Sequence, residues 1–369
     1  MLVNGILRVV YLHIGPPKTG TTYLQEVLWR NRDSLAESGL TYPGSGPADH
    51  FHAALDLRGI AFGGYENPRT VGAWDRLAAR ARAARTRRVV ISHEVLAGAD
   101  AAQIERVVGD FSGSEVHVVY CARDLARQLP ALWQESLKNR HTRTYGRFLR
   151  RALPEEDRPP TGPWRVQDAV GTLARWSASV PRERIHVVTV PAAGTPRETL
   201  WRRFCQVLEI SPEGFDLEVG RANRSLGAVD AEMLRQVNSR LPPGLPWPAY
   251  ERIVKARFSR RADAGSSGER LRVPLRYKEA VRLRAERSRE ALGEAGYEVV
   301  GDLDDLIPAD ESFGAVARVP AKQVTAAAID LLVTVLTEEH RAQRVRPAEA
   351  ATTLLRHLRG GRQRGRRNR

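Results

Sequence analysis

Short runs of β-branched and apolar residues recur along the chain, and an amphipathic segment follows most of them. The runs predict buried strands at residues 6–14, 87–92, 115–121 and 184–190. Apolar positions at helical spacing predict helices over 22–31, 72–85, 124–138, 199–208 and 277–295. Strands that alternate with helices indicate a parallel sheet with helical crossovers. The predicted fold class is therefore α/β, a three-layer P-loop-like domain with a parallel sheet covered on both faces.

Proline and glycine clusters predict loops at 42–49, 154–163, 241–248 and 262–268. After Pro308 the pattern changes to two amphipathic helices, predicted over 321–341 and 347–358. The segment 356–369 holds seven arginines and no acidic residue, so it cannot bury apolar surface and is predicted to be disordered. We therefore expect an α/β domain over 1–310, a helical extension over 311–358 and a basic tail over 359–369.

Composition narrows the class of protein. Of the 369 residues, 42% are hydrophobic and 27% are charged, which is typical of a globular protein and excludes wholesale disorder. The longest apolar candidate, residues 324–336, is too short for a transmembrane span. Cys121 and Cys205 form neither a disulfide framework nor a metal-ligand pattern, and the first residues do not read as a signal peptide. The expected compartment is the reducing cytoplasm.

The chain is strongly basic, and nearly all of its basic residues are arginine. The formal net charge is +15, and only five of the 58 basic residues are lysines: Lys18, Lys138, Lys255, Lys278 and Lys322. Either a genome rich in G and C or selection for binding could produce such an arginine bias. Either way, the positive field favours anionic ligands.

A phosphate-binding loop is predicted between the first strand and the first helix. Its residues are Gly15, Pro16, Pro17, Lys18, Thr19, Gly20, Thr21 and Thr22. Loop amides and the helix N-terminus can hold an anion, and Lys18 adds a point charge. The order differs from the Walker pattern because the lysine precedes the second glycine. The following strand also lacks the terminal aspartate that would hold Mg²⁺.

This order resembles the nucleotide-binding loop of the sulfotransferases that use 3′-phosphoadenosine 5′-phosphosulfate (PAPS), above all the sulfotransferase-like proteins of high-GC bacteria. The resemblance covers residues 8–210 with ordered motifs and extends more loosely to 306. It implies that the loop residues Gly15, Lys18, Thr19, Gly20, Thr21 and Thr22 bind the nucleotide. It also implies that Lys18 neutralises charge in the transition state, so that no metal is required.

The resemblance predicts a second element, a strand that ends in an arginine for the 3′-phosphate. Arg123 matches it, but Ala131 stands where the family has a serine. Arg127, Gln134 and Lys138 lie near the same helical stripe and are candidates to replace the serine, and Arg127 is assigned to the cofactor site.

A third element, Ser92-His93-Glu94, ends another strand. The family uses a histidine or a glutamate here as the general base, depending on the branch. His93 and Glu94 both stay candidates, with Glu94 favoured. A weaker match assigns Asn223 and Arg224 to the nucleotide, although the same segment can be read as a helix N-cap at Ser225.

The implied activity is in-line transfer of a sulfuryl group from PAPS to a hydroxyl or amine of a small-molecule or glycan acceptor. Two alternatives stay open. The first is an ATP-dependent P-loop-type kinase, and both the position of the lysine and the absence of a metal-binding aspartate count against it. A basic nucleic-acid-binding protein would explain the charge, but the arginines are scattered and no recognition motif is present.

Overall fold

A six-stranded, fully parallel sheet organises the first part of the chain, in the order β4-β5-β3-β6-β7-β9. The computed structural model describes residues 2–3, 6–153, 165–218 and 225–340. Its strands are β1 Leu2–Val3, β2 Ile6–Leu7, β3 Val9–Gly15, β4 Leu40–Thr41, β5 Arg88–Ser92, β6 Glu115–Ala122, β7 Ile185–Thr189, β8 Val273–Pro274, β9 Glu298–Val300 and β10 Phe313–Gly314.

Thirteen α-helices are described as far as residue 317. They are α1 Thr21–Arg30, α2 Arg32–Glu37, α3 Asp49–Arg58, α4 Ala73–Ala83, α5 Ala101–Asp110, α6 Leu125–Lys138, α7 Tyr145–Ala152, α8 Ala169–Ser177, α9 Glu198–Val207, α10 Ala228–Arg240, α11 Trp247–Tyr250, α12 Ala256–Gly265 and α13 Lys278–Glu294. A π-helical turn, Glu251–Lys255, joins α11 to α12.

Both faces of the sheet are buried, which is why its strands read as continuous apolar runs. In β3 the side chains alternate between two cores. Val10, Leu12 and Ile14 face α3, α4, α5 and α8, whereas Val9 and Tyr11 face α1 and α9. The predicted α/β class, with a parallel sheet between two layers of helices, is confirmed.

Two sequence predictions are corrected. The strand predicted at 6–14 is divided at Arg8: β2 pairs with β1, and only β3 enters the sheet. The loop predicted at 262–268 is helical as far as Gly265, because Phe258 and Ala262 bury one face of α12.

The contacts divide the chain into two units, with the boundary between Ala317 and Arg318. In the second unit, residues 321–340 are helical, as predicted for this segment. The helix predicted at 347–358 and the basic tail lie outside the described residues, and the domain boundaries at 310 and 358 stay predictions. Of the helices described, none combines the length and the apolar character that crossing a membrane requires.

Candidate functional site

A cleft of about 880 Å³ opens at the carboxyl edge of the sheet, where β3, β5 and β6 end. In the sheet, β5 pairs with one edge of β3 and β6 pairs with the other. Ligands of open α/β sheets bind at such a switch in strand order, because the loops diverge there. The three predicted elements therefore meet at one place.

The loop after β3 is fixed by close packing. A Cβ on Gly15 would lie 2.6 Å from the Cβ of Glu94, so this glycine lets the end of β5 approach the loop. Lys18 and Gly20 have φ values of 71° and 90°, and Gly20 is the N-cap of α1. Thr19 is fully buried, and its hydroxyl donates to the carbonyl of Pro16 (2.7 Å). Thr19 thus shapes the loop from inside and does not face the cleft.

The cleft side of this loop carries Lys18, Gly20, Thr21 and Thr22. The first-turn amides of α1 have no partner within the helix, as at every helix start. Lys18 Nζ lies 2.6 Å from Glu135 Oε2 on α6. Burial raises the pKa of Glu135, but the charge and hydrogen bond of Lys18, with the charges of Lys255 and Lys138, outweigh it and leave this pKa below its usual value. The structure thus pairs the loop lysine with a carboxylate that sequence reasoning did not identify.

Arg123 follows β6 and reaches back to the loop, where its Nη1 donates to the carbonyl of Lys18 (2.6 Å). Its Nε is buried and has no hydrogen-bond partner. Burial and the nearby Arg127 lower the pKa of Arg123 to about 10. Within the described ranges it forms no ion pair with an acid. An anion in the cleft would satisfy this guanidinium.

The candidates to replace the missing serine have different surroundings on α6. Arg127 pairs with Asp124 and donates to the carbonyl of Pro191 (2.9 Å). Gln134 uses both amide atoms on the backbone of Leu226, at 2.8 and 2.9 Å. Both side chains are therefore committed to holding structure, although both line the cleft beside Ala131. Lys138 also lines the cleft and is considered below.

The turn after β5 sets the orientation of the two candidate bases. The Val95 amide donates to His93 Nδ1 (3.1 Å), and His93 Nε2 lies 4.0 Å from Glu94 Oε2. Gln25 Nε2 donates to the same carboxylate oxygen (3.1 Å). Burial lowers the pKa of His93. Burial alone would raise the pKa of Glu94, but His93, a backbone amide, Gln25 and Lys18 together lower it.

A buried network under the loop ties the three strands together. His13 Nδ1 lies 2.7 Å from Ser92 Oγ, and its Nε2 lies 3.4 Å from Cys121 Sγ. Burial lowers the pKa of His13 to about 4. The prediction that His13 is a satisfied strand histidine, and not a catalyst, agrees with this placement.

Several cleft residues were not identified from the sequence. Phe51 and Phe62 form an aromatic wall next to His93, with ring centroids 5.1 Å apart for Phe51 and His93 and 5.3 Å for Phe51 and Phe62. Lys255 lies close to Phe62, with its Nζ 5.5 Å from the ring centroid. Arg270 and Arg272 add charge. The scarcity of lysine was the one signal that could have found Lys255.

Two predicted nucleotide-binding residues, Asn223 and Arg224, lie outside the described residues, whereas Ser225 lines the cleft. Across the described ranges, no group of three or more histidine, cysteine or acidic side chains is arranged to hold a metal ion.

Comparisons with known proteins provide little information about the function of this chain. No family model matches the chain, and no curated protein matches it. Among solved structures, it is similar to a sulfotransferase from Alicyclobacillus acidocaldarius, with 17% sequence identity, a TM-score of 0.38, and coverage of 58% of this chain and 87% of that chain. A likeness of this degree leaves the function to be inferred from the residues of the cleft.

Proposed function

We propose that the protein is a sulfotransferase that moves a sulfuryl group from PAPS to a hydroxyl or amine of an acceptor. Arg123 carries the proposal. A guanidinium with a buried, unpartnered Nε and no acidic partner among the described residues is costly unless an anion binds it. It stands across the loop from Lys18, so the cleft offers separate cations to two phosphates of one nucleotide.

Each step of the transfer has a residue to assist it. The acceptor hydroxyl gives its proton to Glu94, and its oxygen forms a bond to sulfur. The bond between sulfur and the bridging oxygen of the 5′-phosphate breaks, and the electron pair stays on that oxygen. Lys18 and the first amides of α1 stabilise this developing charge. Arg123 binds the 3′-phosphate, which marks PAPS among adenine nucleotides.

Hydrogen bonding favours Glu94 over His93 as the base. The lone pair on His93 Nδ1 accepts the Val95 amide, so the neutral ring carries its proton on Nε2. No lone pair of His93 is then free to take a proton from an acceptor. Glu94 lines the cleft and keeps free lone pairs beyond the one that Gln25 uses. His93 is then a positioning residue that directs Nε2–H towards Glu94.

Calorimetry tests the nucleotide half of the proposal. The desulfated product, adenosine 3′,5′-bisphosphate (PAP), should bind at least about tenfold more tightly than ADP, since a charge-assisted hydrogen bond contributes roughly 1.5–3 kcal/mol. Arg123→Met should remove this preference. The matched control is Arg289→Gln. Arg289 pairs with Asp304 and does not line the cleft.

The outcomes separate the candidate functions. Equal affinity for PAP and ADP would refute the assignment of Arg123. Tighter binding of ATP with Mg²⁺ than of PAP would favour the kinase alternative. Transfer of radiolabelled sulfate from PAPS to any member of an acceptor library would establish the reaction itself.

A further inference from the structure

Lysine is scarce in this chain, yet three of its five lysines line one cleft. These are Lys18, Lys138 and Lys255, while Lys278 and Lys322 lie elsewhere. An ammonium group binds as a compact, strongly hydrated point charge, and a guanidinium cannot replace it without a change in geometry. In a sequence that otherwise uses arginine, this concentration marks sites where the ammonium itself is needed.

Lys138 has no partner for its charge. It is the last residue of α6 and is only 6% exposed. Within the part of the chain that the structure describes, it forms neither a hydrogen bond nor an ion pair. Glu135 and Asp263 act on it only at longer range, and Glu135 is already bound to Lys18 at 2.6 Å. The side chain is largely buried, but its ammonium opens on the cleft without an acid paired to it, which favours an anion that is not part of the protein.

Lys255 extends this positive region. Its Nζ lies 3.3 Å from Oδ1 of Asn139, the residue that follows Lys138 in the sequence. The same Nζ is 5.4 Å from the ring centroid of Trp247, which packs edge-to-face against Phe62. The aromatic side chains hold the ammonium in place and leave it one weak neutral hydrogen bond.

The 3′-phosphate of the nucleotide proposed above cannot supply this anion. Arg123 precedes α6 and Lys138 ends it, and a 14-residue helix spans about 20 Å. The position of the missing serine, Ala131, lies about 10 Å along the helix from Lys138. A 3′-phosphate at Arg123 is therefore out of reach of Lys138. The 5′-phosphate is assigned to Lys18. Burial lowers the pKa of Lys138, and the charge of Lys18 is close enough to lower it further, so PAP alone is the control that separates the two anions.

The aromatic wall connects the two lysines to the proposed base. Lys255 contacts Phe62, Phe62 contacts Phe51, and Phe51 contacts His93, which adjoins Glu94. Lys138 and Lys255 thus lie at the acceptor end of the cleft. We propose that the acceptor carries an anionic group, such as a carboxylate, which Lys138 and Lys255 bind while its hydroxyl faces Glu94. This deepens the proposed function and rests on it.

Lysine-selective NMR tests the proposal, because ¹⁵N-labelled lysine gives only five side-chain signals, assigned with Lys→Gln variants. PAP should shift the Lys18 signal. With PAP bound, 4-hydroxyphenylacetate should then shift the signals of Lys138 and Lys255, whereas its neutral analogue 4-hydroxyphenylacetamide should not. The aryl ring of this probe suits the wall of Phe51 and Phe62.

Variants supply the second measurement. Lys138→Gln and Lys255→Gln should each weaken 4-hydroxyphenylacetate binding about tenfold, the span expected for one charge-assisted contact, without changing PAP affinity. Lys278→Gln, which alters a lysine paired with Asp310 away from the cleft lining, should change neither.

Each other outcome has a definite meaning. If PAP alone shifts Lys138 and Lys255, the anion is the nucleotide and the acceptor proposal is wrong. If the carboxylate shifts neither signal, or the amide shifts both equally, it is also wrong. If PAP leaves Lys18 unmoved, the proposed function fails, while the carboxylate titration still decides whether an anion site exists.

Discussion

Glu135 Oε2 lies 2.6 Å from Lys18 Nζ, so the cation proposed to stabilise the leaving phosphate is paired before any nucleotide enters. PAP must therefore compete with a carboxylate for this lysine. We expect Glu135→Gln to raise PAP affinity about fivefold, because an ion pair of this exposure contributes up to about 1 kcal/mol. Calorimetry at low salt measures the change. An unchanged or lower affinity would mean that Glu135 helps to hold Lys18 for the ligand.

Removal of the lysine charge should stop the reaction. Lys18→Met retains the apolar stem but cannot neutralise the departing phosphate, and loss of one such preorganised group costs about 10²–10³-fold in rate. Sulfate transfer under single-turnover conditions is the measurement, and an unchanged melting temperature is the control for folding. Near-normal transfer by this variant would exclude Lys18 from the chemistry.

The two adjacent base candidates should separate in kinetics. Glu94→Gln preserves shape but cannot accept a proton, so the rate should fall about 10²–10⁴-fold while PAP affinity stays unchanged. His93→Asn removes the ring that accepts the Val95 amide, and it should cost much less and mainly alter acceptor affinity. The opposite ranking would assign the proton transfer to His93.

Gly15 makes a prediction about stability. Its φ is 97°, and an added Cβ would lie 2.7 Å from the Cα of Glu94. Gly15→Ala should therefore lower the free energy of unfolding by about 3 kcal/mol or more, as backbone strain and overpacking add. Gly59→Ala is the matched control, since Gly59 has a φ of 58° but no atom within 4 Å of the added Cβ; it should cost about 1 kcal/mol. Urea unfolding compares the two, and equal losses would show that close packing at Gly15 is unimportant.

His50 predicts acid sensitivity. Its Nε2–H donates to the Pro43 carbonyl (2.5 Å) and its Nδ1 accepts the Ser92 amide (3.2 Å), and the second of these bonds requires the neutral ring. Burial lowers its pKa from 6.5 to about 4. The unfolded chain thus binds the extra proton between these values, and stability present above pH 6.5 is lost as the pH falls towards 4. At pH 5 the loss from this group is about 2 kcal/mol.

Urea unfolding at pH 7 and pH 5 measures this loss. His50→Gln should be less stable at pH 7. Between pH 7 and pH 5, however, this variant should lose about 2 kcal/mol less free energy of unfolding than the unsubstituted protein. His13, with a similarly low pKa, continues to titrate in this variant and maintains a shallower dependence. An identical pH dependence for both proteins would contradict the assignment.

The fold was predictable where strands are continuous apolar runs and helices have one apolar stripe. The segments that form β3, β5, β6 and β7 met the first condition. Three of the missed elements met neither. β4 and β9 are only two and three residues long, and α3 has apolar residues around much of its circumference. Short edge strands depend on pairing with a neighbour, which a local pattern does not record.

The site was predictable only in its strand-end parts. Lys18, Glu94 and Arg123 each follow a strand of one parallel sheet, so their convergence could be inferred before the structure. Glu135 and Lys255 could not, because tertiary packing brings them in; Lys255 meets Asn139 across 116 positions of sequence. The proton position on His93 depends on one backbone amide in the turn that follows β5, which no side-chain pattern reveals.

The distribution of lysines also governs how the protein can be handled. Amine-directed dyes, crosslinkers and chromatography supports will find few side chains to modify, and three of the five line the cleft. Both cysteines are buried, so thiol coupling is no substitute. A preparation immobilised through its lysines would be tethered by the surface that its ligands must enter, and apparent inactivity would reflect the attachment and not the protein. Surface assays therefore need an appended affinity tag.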